Sequence, residues 1–346
     1  ILQQISLLLL FCVTLLMFLV CPKNSAIEVR LGKIVLFAMI ILSIFRSSSM
    51  ADYENYALAF DPSEQELRFE PLFKVIKGIA SLFSNFALVG FAIYAIASIF
   101  IRWSVIKITP SILLASMLVY QSNIYIAQDL IAIRAGLASA LLLLALYLKE
   151  KDNKKGCAIV SLLACLSHYS AAIAIPLMFV SKRKSYGVLY VTALAVSAAL
   201  AYVGIGFGSL FGYIGIVQVQ SLFEMYSNQS EINIFNMLQY GRILICLFCW
   251  YVQKSQEQRL LRENFVITPV VLLKTYTVGL ILAFLFADLI SVSIRFSELL
   301  LSVEILMIPM YFSVFFRKEF TYKMMVTMYS SVLFSISLMN KAYFPM

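Results

Sequence analysis

The chain has 346 residues, 62% of them hydrophobic and 13% charged, with a mean hydropathy of +0.91. A soluble domain of that length needs far more polar surface, so the composition indicates an all-α polytopic membrane protein with one integral domain over 1–346. The net charge of +9 does not point to nucleic acid, because the basic residues sit in short clusters between apolar runs, where cytoplasmic loops carry them.

A spanning helix needs about 20 apolar residues. Taken in order, the candidate spans are 3–21, 31–48, 78–101, 105–124, 129–148, 186–207, 237–253, 265–287, 296–316 and 324–340. The first run, Ile5 to Val20, lacks a basic leader and a small-residue cleavage site, so it reads as a spanning helix and not a signal peptide. Basic clusters follow the first span (Lys23, Arg30, Lys33), the third (Arg102, Lys107) and the fifth (Lys149, Lys151, Lys154, Lys155). Others lie at Lys182, Arg183 and Lys184, at Lys254, Arg259 and Arg262, and at Arg317, Lys318 and Lys323. All are expected to be cytoplasmic, with the N-terminus outside. Segment 156–181 is flanked by basic residues on both sides, yet its 26 residues are too few for two spans. The expectation is a re-entrant pair of half-helices with His168, the chain's only histidine, near the turn. A single span with an outward basic loop is the alternative.

Two outward stretches stand out. Residues 46–77 combine Asp52, Glu54, Asp61, Glu64, Glu66 and Glu70 with Tyr53, Tyr56, Phe60 and Phe69. Residues 208–236 are rich in Gln, Asn, Ser, Tyr and Gly. Carboxylates, amides and aromatic faces together suit a sugar, with Tyr53, Tyr56 and Phe69 as glycan contacts. The competing reading is a pair of ordinary solvated loops. No GxxxxGK[ST] phosphate loop occurs, which argues against ATP-driven transport by this chain alone. A single histidine argues against a multi-His metal site, and no metal or other cofactor is expected. Cys246-Leu-Phe-Cys249 has no second ligand pair, so these and the other four cysteines read as buried thiols.

An arginine within apolar sequence is costly in lipid and by default marks a functional site. Arg134, Arg242 and Arg295 are expected to converge on an outward-opening cavity. A guanidinium donates two parallel hydrogen bonds to one anion, so three of them below an acidic, aromatic loop suit a lipid-linked pyrophosphate. The competing reading is internal pairing, with Arg295 and Glu298 at i,i+3. Lys274 and Glu304 are expected to form a buried structural pair. His168, within Ser-His-Tyr-Ser, is either a hydrogen-bonded core histidine, a base for a sugar hydroxyl or, protonated, a phosphate ligand.

Four segments in order carry a family resemblance. Asp52-Tyr53-x-x-Tyr56 followed by Phe69-Glu70-Pro71-Leu72-Phe73 resembles the first outer loop of the EpsG-like, Wzy-type polysaccharide polymerases. Ile133-Arg134-Ala-Gly-Leu-Ala138 resembles their IRQ-x-x-A helix, with Ala135 where glutamine is common. Leu166-Ser-His168-Tyr-Ser-Ala171 resembles their fH-x-S-A segment, and Arg295-Phe296-Ser297 is similar to the start of a late span. The resemblance covers roughly residues 45–300. It implies a GT-C-like membrane glycosyltransferase of the bacterial inner membrane, with about ten spans, that makes O-antigen or exopolysaccharide. Its substrate would be an undecaprenyl-pyrophosphate-linked oligosaccharide, and its partners the membrane lipid, a chain-length regulator and a flippase. Arg134, Arg295 and Arg242 would bind the pyrophosphate, while Asp52, Glu70 or His168 would deprotonate the acceptor. The alternatives are a lipid-linked oligosaccharide flippase, an ion-coupled transporter and an O-antigen ligase.

Overall fold

The computed structural model describes residues 2–22, 25–63, 70–182, 184–207, 235–340 and 342–344. The outer polar loop expected at 208–236 lies almost wholly outside them, as does Phe69. Among the described residues every regular element is helical. In chain order these are α1 (Leu2–Val20), α2 (Ser25–Ile44), α3 (Tyr53–Phe60), α4 (Pro71–Ala80), α5 (Phe86–Ile106), α6 (Leu113–Ser122), α7 (Ile133–Glu150), α8 (Lys154–Ser167) and α9 (Gly187–Tyr202). Then follow α10 (Met237–Ser255), α11 (Glu257–Arg262), α12 (Pro269–Leu285), α13 (Ile290–Leu301), α14 (Glu304–Phe315) and α15 (Glu319–Met339).

Two of these helices, α1 and α5, are long and apolar enough to cross a membrane alone, and α13 with α14 adds a third if the pair is one span. The other stretches differ from the expected unbroken spans for local reasons. The 105–124 stretch starts with a 3₁₀ turn at Pro110–Ile112, leaving ten residues in α6. The 129–148 stretch opens within a π-helical segment, Tyr125–Ile131, and 296–316 is interrupted between Leu301 and Glu304. In α2, Glu28, Arg30 and Lys33 crowd the first half. Apolar composition reports that a segment is buried, and does not report whether lipid or protein does the burying.

The chain divides into two compact units. The first comprises 1–178, 264–267 and 305–346. Its centre is the continuous run from α6 through the π segment, in which every residue is buried. Helices α1, α2 and α15 pack around α6, and Phe11 of α1 stacks on Phe334 of α15 at 4.1 Å. Helices α3 and α4 lie on α5 through an aromatic cluster in which Phe60 stacks on Phe73 at 4.9 Å and meets Phe91 edge-on at 5.8 Å. Gly90 permits this approach, since a Cβ there would fall 2.5 Å from the Phe60 ring. Helices α7 and α8 form a tight hairpin, with Asn153 Oδ1 accepting from the Gly156 N–H at 2.9 Å to start α8. Segment 156–181 is helical to Ser167, extended at His168 and 3₁₀-helical over Tyr169–Phe179. Its far end returns toward its start: Lys149 Nζ donates to the Leu177 carbonyl at 2.8 Å, and the sulfurs of Cys157 and Met178 are 3.5 Å apart.

The second unit comprises 179–263 and 268–304, built on α12 packed against α9, α10 and α13. It corrects one expectation. Lys274 is fully buried, but its ammonium donates to the carbonyls of Ser181, at 2.7 Å, and Lys184, and not to Glu304. An expected depth along the sequence leaves the direction around each helix axis open, and the side of α12 that carries Lys274 faces the turn before α9. Lys274→Met should therefore lower stability by about 1–3 kcal/mol, the cost of leaving buried acceptors without a donor. Adding Glu304→Leu should give no rescue in thermal unfolding of the detergent-solubilised protein. A double variant as stable as wild type would reinstate the Lys274–Glu304 pair.

Candidate active site

The Glu70 carboxylate holds the site together. Glu70 is the residue before Pro71 at the start of α4, and its backbone carbonyl accepts from Phe73 N–H at 3.0 Å. Its side chain makes no helix cap. It is 3% exposed and turns instead toward two other segments. Oε2 accepts from Nη1 of Arg134, in the first turn of α7. Oε1 lies 2.8 Å from Nδ1 of His168, at the end of α8. Tyr56, from α3, completes the group: its hydroxyl accepts from Arg134 Nε at 3.3 Å, and the guanidinium carbon lies 5.7 Å from its ring centre.

His168 is placed by a break in the helix. Its backbone is extended, with φ −156° and ψ 117°, between α8 and the 3₁₀ segment. The break turns the imidazole toward Glu70, and Ser167 Oγ anchors it by donating to the Arg134 carbonyl at 3.1 Å. Because Nδ1 faces a carboxylate, it carries the proton in the neutral ring, which leaves the Nε2 lone pair as the basic site.

Burial alone would raise the Glu70 pKa, but the hydrogen bond from His168 and the charge of Arg134 outweigh it and hold it at about 2. Burial pushes the Tyr56 phenol up, against the opposing pull of Arg134. The cluster therefore offers an ionised carboxylate, an oriented imidazole, a guanidinium whose side chain is 21% exposed, and a neutral phenol. Among the described residues no group of three His, Cys, Asp or Glu gathers as a metal site.

The sequence candidates separate on this geometry. Glu70, Arg134, His168 and Tyr56 come together. Asp52 does not: it is exposed, with a left-handed backbone (φ 60°), and accepts from Asn55 Nδ2 at 3.2 Å. Tyr53 lies against Phe91, 5.2 Å between rings. Arg242 and Arg295 belong to the second unit. Arg242 is buried within electrostatic range of Glu298, while Arg295 is exposed and shows no ion pair with Glu298, the pairing that competes with a role in binding. One neighbour was missed. The Tyr94 hydroxyl of α5 is buried without a hydrogen-bond partner, in electrostatic range of Tyr56, Arg134 and Glu70. Its only sequence signal is a polar tip in an apolar run.

The family model of the EpsG family matches residues 29–346. The chain belongs to the EpsG family. This EpsG-family protein is therefore a membrane-integral polysaccharide polymerase of the Wzy-like kind, and its chemistry is of the glycosyltransferase class. No curated relative and no solved structure matches the chain.

The depressed Glu70 pKa has a testable consequence. A group whose folded pKa lies below its ordinary 4.5 contributes stability that is full above that value and is lost as pH falls toward about 2. The contribution is about 3 kcal/mol at neutral pH. Unfolding of wild type compared with Glu70→Gln in detergent should show the gap shrinking between about pH 4.5 and 2. A gap independent of pH would mean that Glu70 is not ionised in its site.

Proposed function

We propose that this protein is a polysaccharide repeat-unit polymerase of a bacterial inner membrane, crossing it about ten times. It transfers a growing glycan from undecaprenyl pyrophosphate to a lipid-linked repeat unit on the outer face. The observation that carries this reading is the Glu70 bridge, which brings an oriented base and an arginine to one place. In this scheme His168 Nε2 takes the proton of the acceptor hydroxyl. The acceptor oxygen bonds to the anomeric carbon, and the bond from that carbon to the pyrophosphate oxygen breaks. The lipid pyrophosphate leaves with the electron pair, and Arg134 stabilises its developing charge. Arg134 sits in the first turn of an 18-residue helix, whose positive end also favours an anion. Glu70 holds the imidazole and does not take the proton itself. Segment 156–181 acts as a re-entrant hairpin that delivers His168, a reading supported by the return of Leu177 to Lys149.

The test is a surface-glycan gel from a strain lacking this gene, complemented with variants. The deletion should leave a single capped repeat unit, and wild type should restore the ladder. Arg134→Ala, His168→Ala and Glu70→Gln should fail at normal protein level, whereas Asp52→Ala should succeed. Loss of all surface glycan in the deletion strain would point to flipping or ligation, and a ladder unchanged by the deletion would point to transport.

A further inference from the structure

Behind Arg134 lies a second arginine that the transfer scheme does not use. Arg102, in α5, is completely buried, although its position near a helix end marks it as a cytoplasmic flank. Its Nη1 donates to both oxygens of Asp129, at 2.7 and 2.8 Å, and to the Tyr120 hydroxyl at 3.1 Å. Its Nη2 donates to Gln128 Oε1 at 2.8 Å, Ser139 Oγ at 2.6 Å and the backbone carbonyl of Gly136 at 2.9 Å. Asp129 also accepts from Ser98 Oγ and the Tyr120 hydroxyl, both at 2.6 Å. Gln128 and Asp129 belong to the π segment, and Gly136 and Ser139 to the start of α7. One guanidinium therefore ties the π segment to the first turns of α7. A second buried arginine, Arg46, holds the far side of the same segment, donating to the Leu130 carbonyl at 2.6 Å.

Two features make this arrangement specific. Single π turns inside helical runs are uncommon and concentrate at functional positions. Gly136 is required by close approach, since a Cβ there would lie 2.5 Å from the Gln128 carbonyl oxygen. With about 100° of rotation per residue, Gly136 lies some 200° around α7 from Arg134. The Arg102 network grips one side of the turn, and Arg134 leaves from the opposite side toward Glu70 and Tyr56.

We propose that Arg102, with Asp129, is a positioning residue: it sets the rotation and depth of the first turn of α7 and so holds Arg134 against the Glu70–His168 pair. This rests on the transfer role proposed for Arg134. A displacement near 1 Å at a reacting group can cost about 100-fold in rate, enough for a network without substrate contact to matter.

The experiment replaces both charges together. Arg102→Met with Asp129→Leu removes the pair without leaving either charge buried alone, an exchange that commonly preserves stability. The full-length variant is compared with wild type by membrane level, thermal unfolding, glycan ladder and the ¹⁵N spectrum of labelled histidine. With one histidine in the chain, that spectrum reads the tautomer of His168 alone. The expected result is a folded protein with at least tenfold less long-chain glycan and a shifted His168 signal, because Glu70 has lost its aligned arginine. A folded variant with a normal ladder and an unchanged His168 signal overturns the proposal. If the double variant does not accumulate, Gly136→Ala decides. It leaves every donor of the network in place but forces the Gln128 carbonyl away from α7, so a lost ladder supports the proposal and a normal one overturns it. Arg134→Ala in the same series separates the two ideas. If it keeps the ladder, the transfer role fails and the His168 signal of the double variant alone judges the positioning.

Discussion

A carboxylate withdrawn from water has to be matched where it sits, and Glu70 is matched from two directions at once. Its partners lie 64 and 98 residues away in sequence, so the one charge joins the start of α4, the first turn of α7 and the break after α8. Each partner depends on its own support. The aromatic stack of Phe60, Phe73 and Phe91 holds α4 on α5, and Ser167 holds the end of α8 to α7. Removing Glu70 would leave a guanidinium and an imidazole without their common anion, the more damaging half of a broken pair.

The same bridge sets the electrostatics of the site. A cation in the first turn of a helix opposes the macrodipole, and Glu70 offsets that conflict for Arg134. The charges of Glu70 and Arg134 cancel. An anion that reaches Arg134 therefore competes with Glu70 for a guanidinium already committed. The interaction it gains is a difference between two good partners, which favours a ligand that offers several acceptor oxygens over a singly charged one.

Much of the site was legible because the cost of burying charge is local: an arginine and a histidine within apolar runs are anomalies visible in one dimension. Arg134 and His168 stand out on that ground, whereas Glu70 is one of several carboxylates in an acidic loop and is singled out only by the family resemblance. What failed was geometry around the axis. Asp52 and Glu70 share one acidic loop, and the packing of α3 and α4 on α5 leaves the first exposed and buries the second. The expectation for Lys274 and Glu304 rests on depth along the sequence, but Lys274 satisfies backbone carbonyls. The helical class of the fold is evident from hydropathy and a turn near His168 from the basic flanks of 156–181, whereas no local pattern encodes the π segment. Arg102 was assigned to the cytoplasm because the positive-inside rule counts charges near helix ends. Its spacing from Ser98, one turn earlier on the same side of an apolar helix, was the available sign of burial.

Exposure also separates Arg102 from Arg134. Arg102 and Arg134 both bond to acidic residues and both act on the first turns of α7. The Arg102 side chain is 1% exposed, and its two terminal nitrogens are spent on six acceptor atoms, so a ligand would have to dismantle the core to reach it. The Arg134 side chain is 21% exposed and reaches the edge of its cluster. A buried charge whose terminal nitrogens are both engaged resists movement, and a partly exposed one can exchange partners. Placing the two on opposite sides of one helical turn lets the rigid pair serve as the frame against which the adaptable one is aligned.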